Sequence, residues 1–109
     1  MAVIDDFAKL DIRVGEVVQA ENFAQAKKPS YQLWIDFGAE LGVLKSSAQI
    51  TEQYTPEILV GKQVVAIVNF PPRQIANFMS QVLVLGACTE SGVVLLRPEA
   101  FVSNGTAVH

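Results

Sequence analysis

The stretch that most constrains the fold of this chain runs from residue 64 to residue 86 and reads VVAIVNFPPRQIANFMSQVLVLG. Two apolar segments, Val64 to Phe70 and Val82 to Gly86, flank a loop within it. Residues 64–68 lack polar alternation, which predicts a strand covered on both faces, as in the wall of a small closed barrel. The two prolines that follow end this strand because neither can donate a ladder hydrogen bond.

The loop after the prolines carries a cation, amides and large apolar side chains, a mixture that solubility alone does not require. These side chains are Arg73, Gln74, Ile75, Asn77, Phe78, Met79 and Ser80. Asn69 interrupts the apolar run just before the loop and is predicted to be a buried amide. A buried amide must be hydrogen-bonded or cost about 1–3 kcal/mol, so Asn69 either ties down the loop or awaits a ligand. The loop is therefore predicted to bind a partner.

Size and charge restrict the possible functions. The 109 residues leave room for one domain, residues 1–109, and half of them are apolar while 17% are charged, as in globular proteins. The apolar runs are too short for a membrane span and the N-terminus lacks a signal-peptide layout, so we expect a cytoplasmic protein without membrane insertion. The net charge of −3 argues against strong non-specific nucleic-acid binding, but it is compatible with a local basic patch.

The sequence does not indicate catalysis or metal binding. One cysteine, Cys88, and one histidine, His109, allow neither an internal disulfide nor a metal-ligand cluster. No carboxylate pair, activated nucleophile or phosphate-binding loop appears. We therefore predict that the chain is not an enzyme and uses no cofactor and no metal, and that Cys88 is a small packing residue.

The N-terminal segment, residues 3–10, predicts a short amphipathic helix because Val3, Phe7 and Leu10 recur at helical spacing. Eight residues do not hold a helix alone in water, so this apolar stripe must rest on a surface. That surface is either the chain's own barrel or a second subunit. With Ile75, these three residues form the predicted interface of a homodimer.

Closely spaced strand patterns predict a small barrel. The first strand spans residues 12–20, with a predicted bulge at Gly15. Residues 31–37 and 43–50 then alternate as a hairpin, and we expect its outer face to carry polar groups and one aromatic ring. The outer-face residues are Trp34, Lys45, Ser47 and Gln49. The pattern predicts an all-β, five-stranded Greek-key barrel of the OB type, with short flanking helices and additional C-terminal strands over residues 93–108.

Three shorter signals complete the sequence pattern. Thr55 as N-cap, Pro56 at the first helical position and a closing glycine predict a short helix that plugs one end of the barrel. The pair Asn104-Gly105 predicts a late hairpin turn. Lys27 and Lys28 form the only adjacent basic pair, which either is solvated or contacts phosphate or an acidic partner.

Three segments together resemble the tRNA-binding-domain family: LDIRVGEVVQAE at 10–21, YTPEILVGKQV at 54–64 and VNFPPRQIANFMSQVLVLG at 68–86. Members are OB-fold modules that occur as stand-alone dimeric tRNA-binding proteins or as additions to aminoacyl-tRNA synthetases. SSAQIT at 46–51 together with NFPPR at 69–73 looks like the CsaA branch of export-related bacterial chaperones. The resemblance implies an OB barrel, a homodimer and binding of unfolded or precursor polypeptides, with tRNA or another structured RNA as the alternative ligand.

The predicted binding region is the loop after Asn69 together with the adjoining outer face. The predicted peptide-binding residues are Trp34, Gln49, Asn69, Phe70, Arg73, Phe78, Met79 and Ser80. The predicted RNA-binding residues are Lys27, Lys28, Lys45, Ser47, Asn69, Arg73 and Ser80. In place of the family's Gly-Ile-Glu-Ser-Gln-Gly-Met pattern this chain has NFMSQVL, which is more apolar and favours a polypeptide client. Phe78 either belongs to this surface or is buried in the barrel or in the dimer interface.

Overall fold

The computed structural model describes all 109 residues. The elements in chain order are α1 (Ile4–Ala8), β1 (Ile12–Asn22), β2 (Tyr31–Asp36), α2 (Gly38–Leu41), β3 (Val43–Ala48), α3 (Pro56–Leu59), β4 (Gln63–Ile67), β5 (Arg73–Ile75), β6 (Phe78–Ser80), β7 (Leu83–Val84), β8 (Gly86–Thr89) and β9 (Gly92–Leu95). The helix predicted over residues 3–10 is therefore shorter than expected. None of the three helices has the length and the apolar composition of a membrane span.

Five of the strands form one antiparallel sheet in the order β3-β2-β1-β4-β7. The sheet curls until β3 meets the residues just before β7. There the backbone N–H of Gln81 donates to the carbonyl of Lys45 (2.8 Å), and the N–H of Lys45 donates to Gln81 Oε1 (2.9 Å). The β5–β6 and β8–β9 hairpins lie outside this sheet. The predicted all-β, five-stranded OB-type barrel is confirmed.

The inward face of β2 supplies the centre of the core, as its alternation predicts. Leu33 and Ile35 have no exposed surface, and Phe37, one residue beyond the strand, is 1% exposed. Leu59 of α3 is also fully buried in the same cluster. The predicted N-cap of α3 is present, because Thr55 Oγ1 accepts a hydrogen bond from the N–H of Ile58 (3.4 Å). The predicted short helix is present, and it contributes Leu59 to the core of the barrel.

The glycine of β1 admits two core side chains and does not form a bulge. The predicted bulge at Gly15 is wrong: β1 is unbroken there, and its register against β2 shifts between Val17 and Gln19. A Cβ atom on Gly15 would lie 2.6 Å from Ile35 Cγ2 and 2.7 Å from Phe37 Cε1. Only glycine leaves room for both side chains at this point of the sheet.

The C-terminal segment pairs with β1, so the strands predicted over residues 93–108 are only partly correct. β9 ends at Leu95, and the chain next pairs through an isolated bridge between Arg13 and Ala107. Gly105 N–H donates to the carbonyl of Val14 (2.7 Å), and Val14 N–H donates to the carbonyl of Thr106 (2.9 Å). The predicted turn at residues 104–105 is present, but it carries the chain onto β1 and does not join two strands of a hairpin.

Candidate ligand-binding groove and basic pocket

An open groove of about 510 Å³ lies between the end of β3, the loop after β4 and the β8–β9 hairpin. Its walls are mainly apolar, and two of the wall residues, Phe70 and Leu83, are 42% and 46% exposed. The apolar wall residues include Ile50, Phe70, Ile75, Val82, Leu83, Val84, Val93 and Leu95. The polar rim consists of Ser47, Gln49, Arg73, Ser80 and Gln81. Such a surface can cover apolar side chains of a ligand while its rim pairs with polar groups.

A second pocket, of about 360 Å³, adjoins the groove and contains the predicted basic pair. It is lined by Lys27, Lys28 and Arg73, with neutral side chains around them. Four residues form a wall that the groove and the basic pocket share, namely Ser47, Gln49, Arg73 and Ile75. No Asp or Glu lines either of the two cavities.

The three cations of the basic pocket have no carboxylate partner in the chain, because both salt bridges of the structure involve Arg13. Arg13 Nε donates to Asp11 Oδ1 at 2.6 Å, and this hydrogen bond raises the pKa of Arg13. The charge of Arg13 is therefore already paired with that of Asp11 within the fold. Those of Lys27, Lys28 and Arg73 remain available to a ligand.

The β5–β6 hairpin positions the rim residues of the groove. Its register places Arg73 opposite Ser80 and Ile75 opposite Phe78. Since side chains alternate along a strand, these four residues share one face of the hairpin, and Gln74 and Met79 lie on the other. Met79 is accordingly exposed and outside the groove, although it was predicted to belong to the peptide site.

A hydrogen bond from β3 to β6 fixes the rim. The backbone N–H of Ser47 donates to Ser80 Oγ at 3.0 Å. The fully buried hydroxyl of Ser46 donates to the carbonyl of Val82 at 3.1 Å. This bond attaches β3 to the residues that follow β6. The O–H of Ser80 still has its proton to donate, so Ser80 can present a hydrogen bond to a ligand in the groove.

Phe78 is buried, which corrects the prediction that it belongs to the exposed apolar surface and confirms the alternative that it is covered. It is 5% exposed, and its ring lies edge-on to Phe23 (5.4 Å between centroids) and to Trp34 (5.8 Å). Lys45 Nζ lies 5.1 Å from the centroid of the Phe78 ring. Trp34, predicted to bind peptide, thus forms an aromatic cluster with Phe23 and Phe78, and Lys45, predicted to bind RNA, lies beside this cluster. Neither Trp34 nor Lys45 lines the groove.

Asn69 is exposed, so the prediction of a buried amide is wrong. Its side chain nevertheless forms hydrogen bonds within the chain, in agreement with the alternative that Asn69 ties down the loop. Asn69 Oδ1 accepts from the N–H of Asp11 (2.9 Å), and Asn69 Nδ2 donates to the carbonyl of Lys9 (2.8 Å). The residue therefore anchors the segment behind α1 and stands outside the groove.

Two of the predicted dimer-interface residues in and beside α1, Val3 and Phe7, are exposed within the chain. No residue of α1 is buried, and Val3 and Phe7 are 62% and 41% exposed, while Leu10 is half-buried. The barrel therefore leaves Val3 and Phe7 of the apolar stripe exposed, and the resting surface of this stripe stays a prediction. Ile75 is half-buried and lies in the wall that the groove shares with the basic pocket.

Sequence reasoning missed the part of the groove formed by the last strands. Leu83, Val93 and Leu95 line it, and so does Cys88, which is exposed although it was predicted to be a packing residue. The run from Val82 to Leu85 has no polar alternation, so it does not reveal which side chains face outward. The structure buries Val82 and exposes Leu83.

Comparisons with known proteins define the class of this chain. The family model described as a putative tRNA-binding domain matches residues 12–107, so the chain belongs to this tRNA-binding-domain family. Within the family, the chain is similar over its whole length to two chaperones called CsaA. The crystal structure from Bacillus anthracis has 52% identity and a TM-score of 0.93, covering 100% of this chain and 99% of that one. The structure from Picrophilus torridus has 49% identity and a TM-score of 0.96, covering 100% of both chains. The resemblance to the CsaA branch is confirmed.

A curated relative places the same module within a larger enzyme. The methionine–tRNA ligase of Archaeoglobus fulgidus is 43% identical over 105 residues, which are 96% of this chain and 16% of the ligase. The chain thus spans about 16% of the length of that relative.

Proposed function

We propose that this chain is a non-catalytic, dimeric chaperone of the cytoplasm that binds unfolded or precursor polypeptides intended for export. The observation that carries the proposal is the open groove of about 510 Å³ with mainly apolar walls and a polar rim. Unfolded chains differ from folded ones in presenting apolar side chains next to unpaired backbone groups, and the groove offers contacts for both. The two full-length CsaA neighbours, each named a chaperone, support it.

Apolar contact would supply most of the binding free energy. Phe70 and Leu83 lie on the wall with much of their surface exposed, so a client side chain that covers them removes apolar area from water. The hydroxyl of Ser80 and the amide of Gln49 can pair with the client backbone. Backbone pairing carries no sequence information, which suits a protein that accepts many clients.

The exposed apolar residues in and beside α1 support the dimer. Val3, Ile4 and Phe7 are 62%, 78% and 41% exposed, and α1 has no buried residue. A helix of five residues gains stability chiefly by packing its apolar side against another surface. A second copy of the chain is the surface we propose, with a total buried area of about 1,200–2,000 Å².

Binding of tRNA is the second candidate, favoured by the family and by the unpaired cations of the basic pocket. Titration of the protein with tRNA and with a reduced, unfolded polypeptide, each at about 50 and 200 mM salt, separates the two functions. We expect polypeptide affinity to change little with salt, and RNA affinity to be weak and to fall steeply. Tight tRNA binding that persists at high salt, together with no binding of polypeptide, would reverse the ranking.

A groove variant and a matched surface variant test the site. Leu83→Ser alters an exposed wall residue and is expected to weaken polypeptide binding at least about tenfold. Ile58→Ser changes a similarly exposed aliphatic residue on α3, outside the groove, and should leave the affinity within about twofold. Equal effects of the two substitutions would exclude the groove as the client site.

A further inference from the structure

The charges of this chain are distributed unevenly. Eleven acidic residues exceed the eight basic ones, yet no acidic residue lines the groove or the basic pocket. Three of the eight basic residues, Lys27, Lys28 and Arg73, line the basic pocket together. A cluster of like charges without counter-charges produces a local positive potential on an otherwise acidic protein. This pocket therefore attracts an anionic group.

The basic pocket and the apolar groove are not separate sites. Arg73, Ser47, Gln49 and Ile75 line both cavities, so a ligand that lies in the groove on this side reaches the basic pocket without leaving the surface. A guanidinium group can form two parallel hydrogen bonds with a carboxylate, which makes Arg73 the natural contact at the junction. No carboxylate of the chain forms a salt bridge with Arg73.

We infer that the groove selects client segments in which an apolar stretch adjoins an acidic side chain, and that this acidic side chain enters the basic pocket beside Arg73. The inference rests on the proposed function and specifies its class of substrate. Apolar side chains of the segment lie against Leu83, Val93 and Leu95, and the carboxylate lies beyond Arg73. The acidic residue thus sits at one end of the bound stretch.

The distribution of charge in the combined site favours a peptide over a nucleic acid. A nucleic-acid strand carries a negative charge on every nucleotide, and strand binding grows with the number of phosphates that are neutralised. The groove offers only Arg73 as a cation along apolar walls, so it would desolvate most of the phosphates without pairing them. A segment with one carboxylate beside apolar side chains matches both cavities.

Two short peptides that differ in one group test the charge requirement. Both contain a leucine-valine-phenylalanine stretch, flanked on one side by glutamate in the first peptide and by glutamine in the second. We expect the glutamate peptide to bind the intact protein about three- to tenfold more tightly. Arg73→Gln should remove this preference, whereas Leu83→Ser should weaken both peptides equally. Arg97→Gln, an exposed arginine outside both cavities, is the control and should keep the preference.

The single cysteine of the chain, Cys88, reports the orientation of the bound peptide. It is exposed, and it lines the groove but not the basic pocket. A glutamate peptide with an activated disulfide at its apolar end should react with Cys88 at least about threefold faster than one activated at its glutamate end, because binding raises the local concentration. Equal rates in the two orientations would overturn the inference.

The outcomes separate this inference from the function on which it rests. If the two peptides bind the protein equally well and Leu83→Ser weakens both, the groove binds polypeptide without reading charge, and only the inference fails. If neither peptide binds and an RNA oligomer binds with dependence on Arg73 and Lys27, the basic pocket serves phosphate, and both the inference and the proposed function fail. A glutamate preference that depends on Arg73 supports both.

Discussion

The β5–β6 hairpin and helix α1 both carry a phenylalanine outside the five-stranded sheet, but only the hairpin has its phenylalanine covered. Phe78 is 5% exposed because Phe23 and Trp34 close around it, whereas Phe7 is 41% exposed and α1 has no buried residue. From the sequence alone, the two segments look equally suited to bind a partner. The difference shows that distant parts of the chain decide which apolar surface remains open to another molecule.

Removing the covered ring should have the largest effect. Phe78→Ala deletes most of a buried side chain and its two aromatic contacts, so we expect the free energy of unfolding to fall by about 3 kcal/mol or more. Met79→Ala, one residue along and 38% exposed, should cost less than about 1 kcal/mol. Urea unfolding of both variants at one protein concentration measures the difference. A Phe78→Ala protein as stable as the original chain would contradict the burial.

Changing the uncovered ring should affect assembly more than folding. Phe7→Ser is expected to raise the dissociation constant of the proposed dimer about thirtyfold, equivalent to about 2 kcal/mol, if Phe7 is an interface anchor. The circular dichroism spectrum should be unchanged because the residue is not part of the core. Sedimentation equilibrium at micromolar concentration provides the measurement, with Ile58→Ser as the control. A monomer for the unaltered chain would remove the basis of the proposed dimer.

Loosening the attachment of α1 should have an intermediate effect. Asn69→Ala removes the two hydrogen bonds that hold the backbone of Lys9 and Asp11, which together contribute about 1–2 kcal/mol. We expect faster hydrogen exchange at the amide of Asp11 and a weaker dimer, with the groove unaffected. Loss of polypeptide binding without any change in exchange would instead assign Asn69 to the ligand site.

The smallest effect is expected from the cation over the covered ring. Lys45→Met removes the positive charge near Phe78 and should cost about 0.5–1 kcal/mol of unfolding free energy. Because Lys45 does not line the basic pocket, its loss should leave RNA affinity unchanged within about twofold. Lys27→Met is the comparison, and it should weaken RNA binding while preserving stability. Equal losses of RNA affinity would return Lys45 to the binding surface.

Features that depend on neighbours in the sequence could be predicted. The alternation from Tyr31 to Phe37 identifies the inward face of β2 because a strand reverses its side chains at every residue. Thr55 and Pro56 identify the start of α3 because capping involves residues within one turn. Four predicted peptide-binding residues do line the groove: Gln49, Phe70, Arg73 and Ser80. Arg73 and Ser80 could be predicted because their loop follows a recognisable strand end.

Features that depend on contacts across the chain could not be predicted in this way. Phe23 and Phe78 stand far apart in the sequence, and no local pattern pairs them. Asn69 bonds to residues 58 and 60 positions away, which the strand pattern around it does not indicate. The need for a glycine at position 15 arises from Ile35 and Phe37 on another strand. Each of these errors reflects a partner supplied by the tertiary fold.

The position of β1 in the middle of the sheet determines when its hydrogen bonds can form during synthesis. β1 is synthesised before β4, and its hydrogen bonds to β4 and to the residues around Thr106 become possible only once those later segments have emerged. Pairings so distant in sequence must overcome the entropy of loop closure before they gain contacts, so we expect folding on the order of milliseconds to seconds. Until then Ile12 and Val14, which are buried in the folded chain, lack the strand that pairs with them. A protein proposed to shield unfinished polypeptides is therefore, during its own synthesis, exposed to the same hazard.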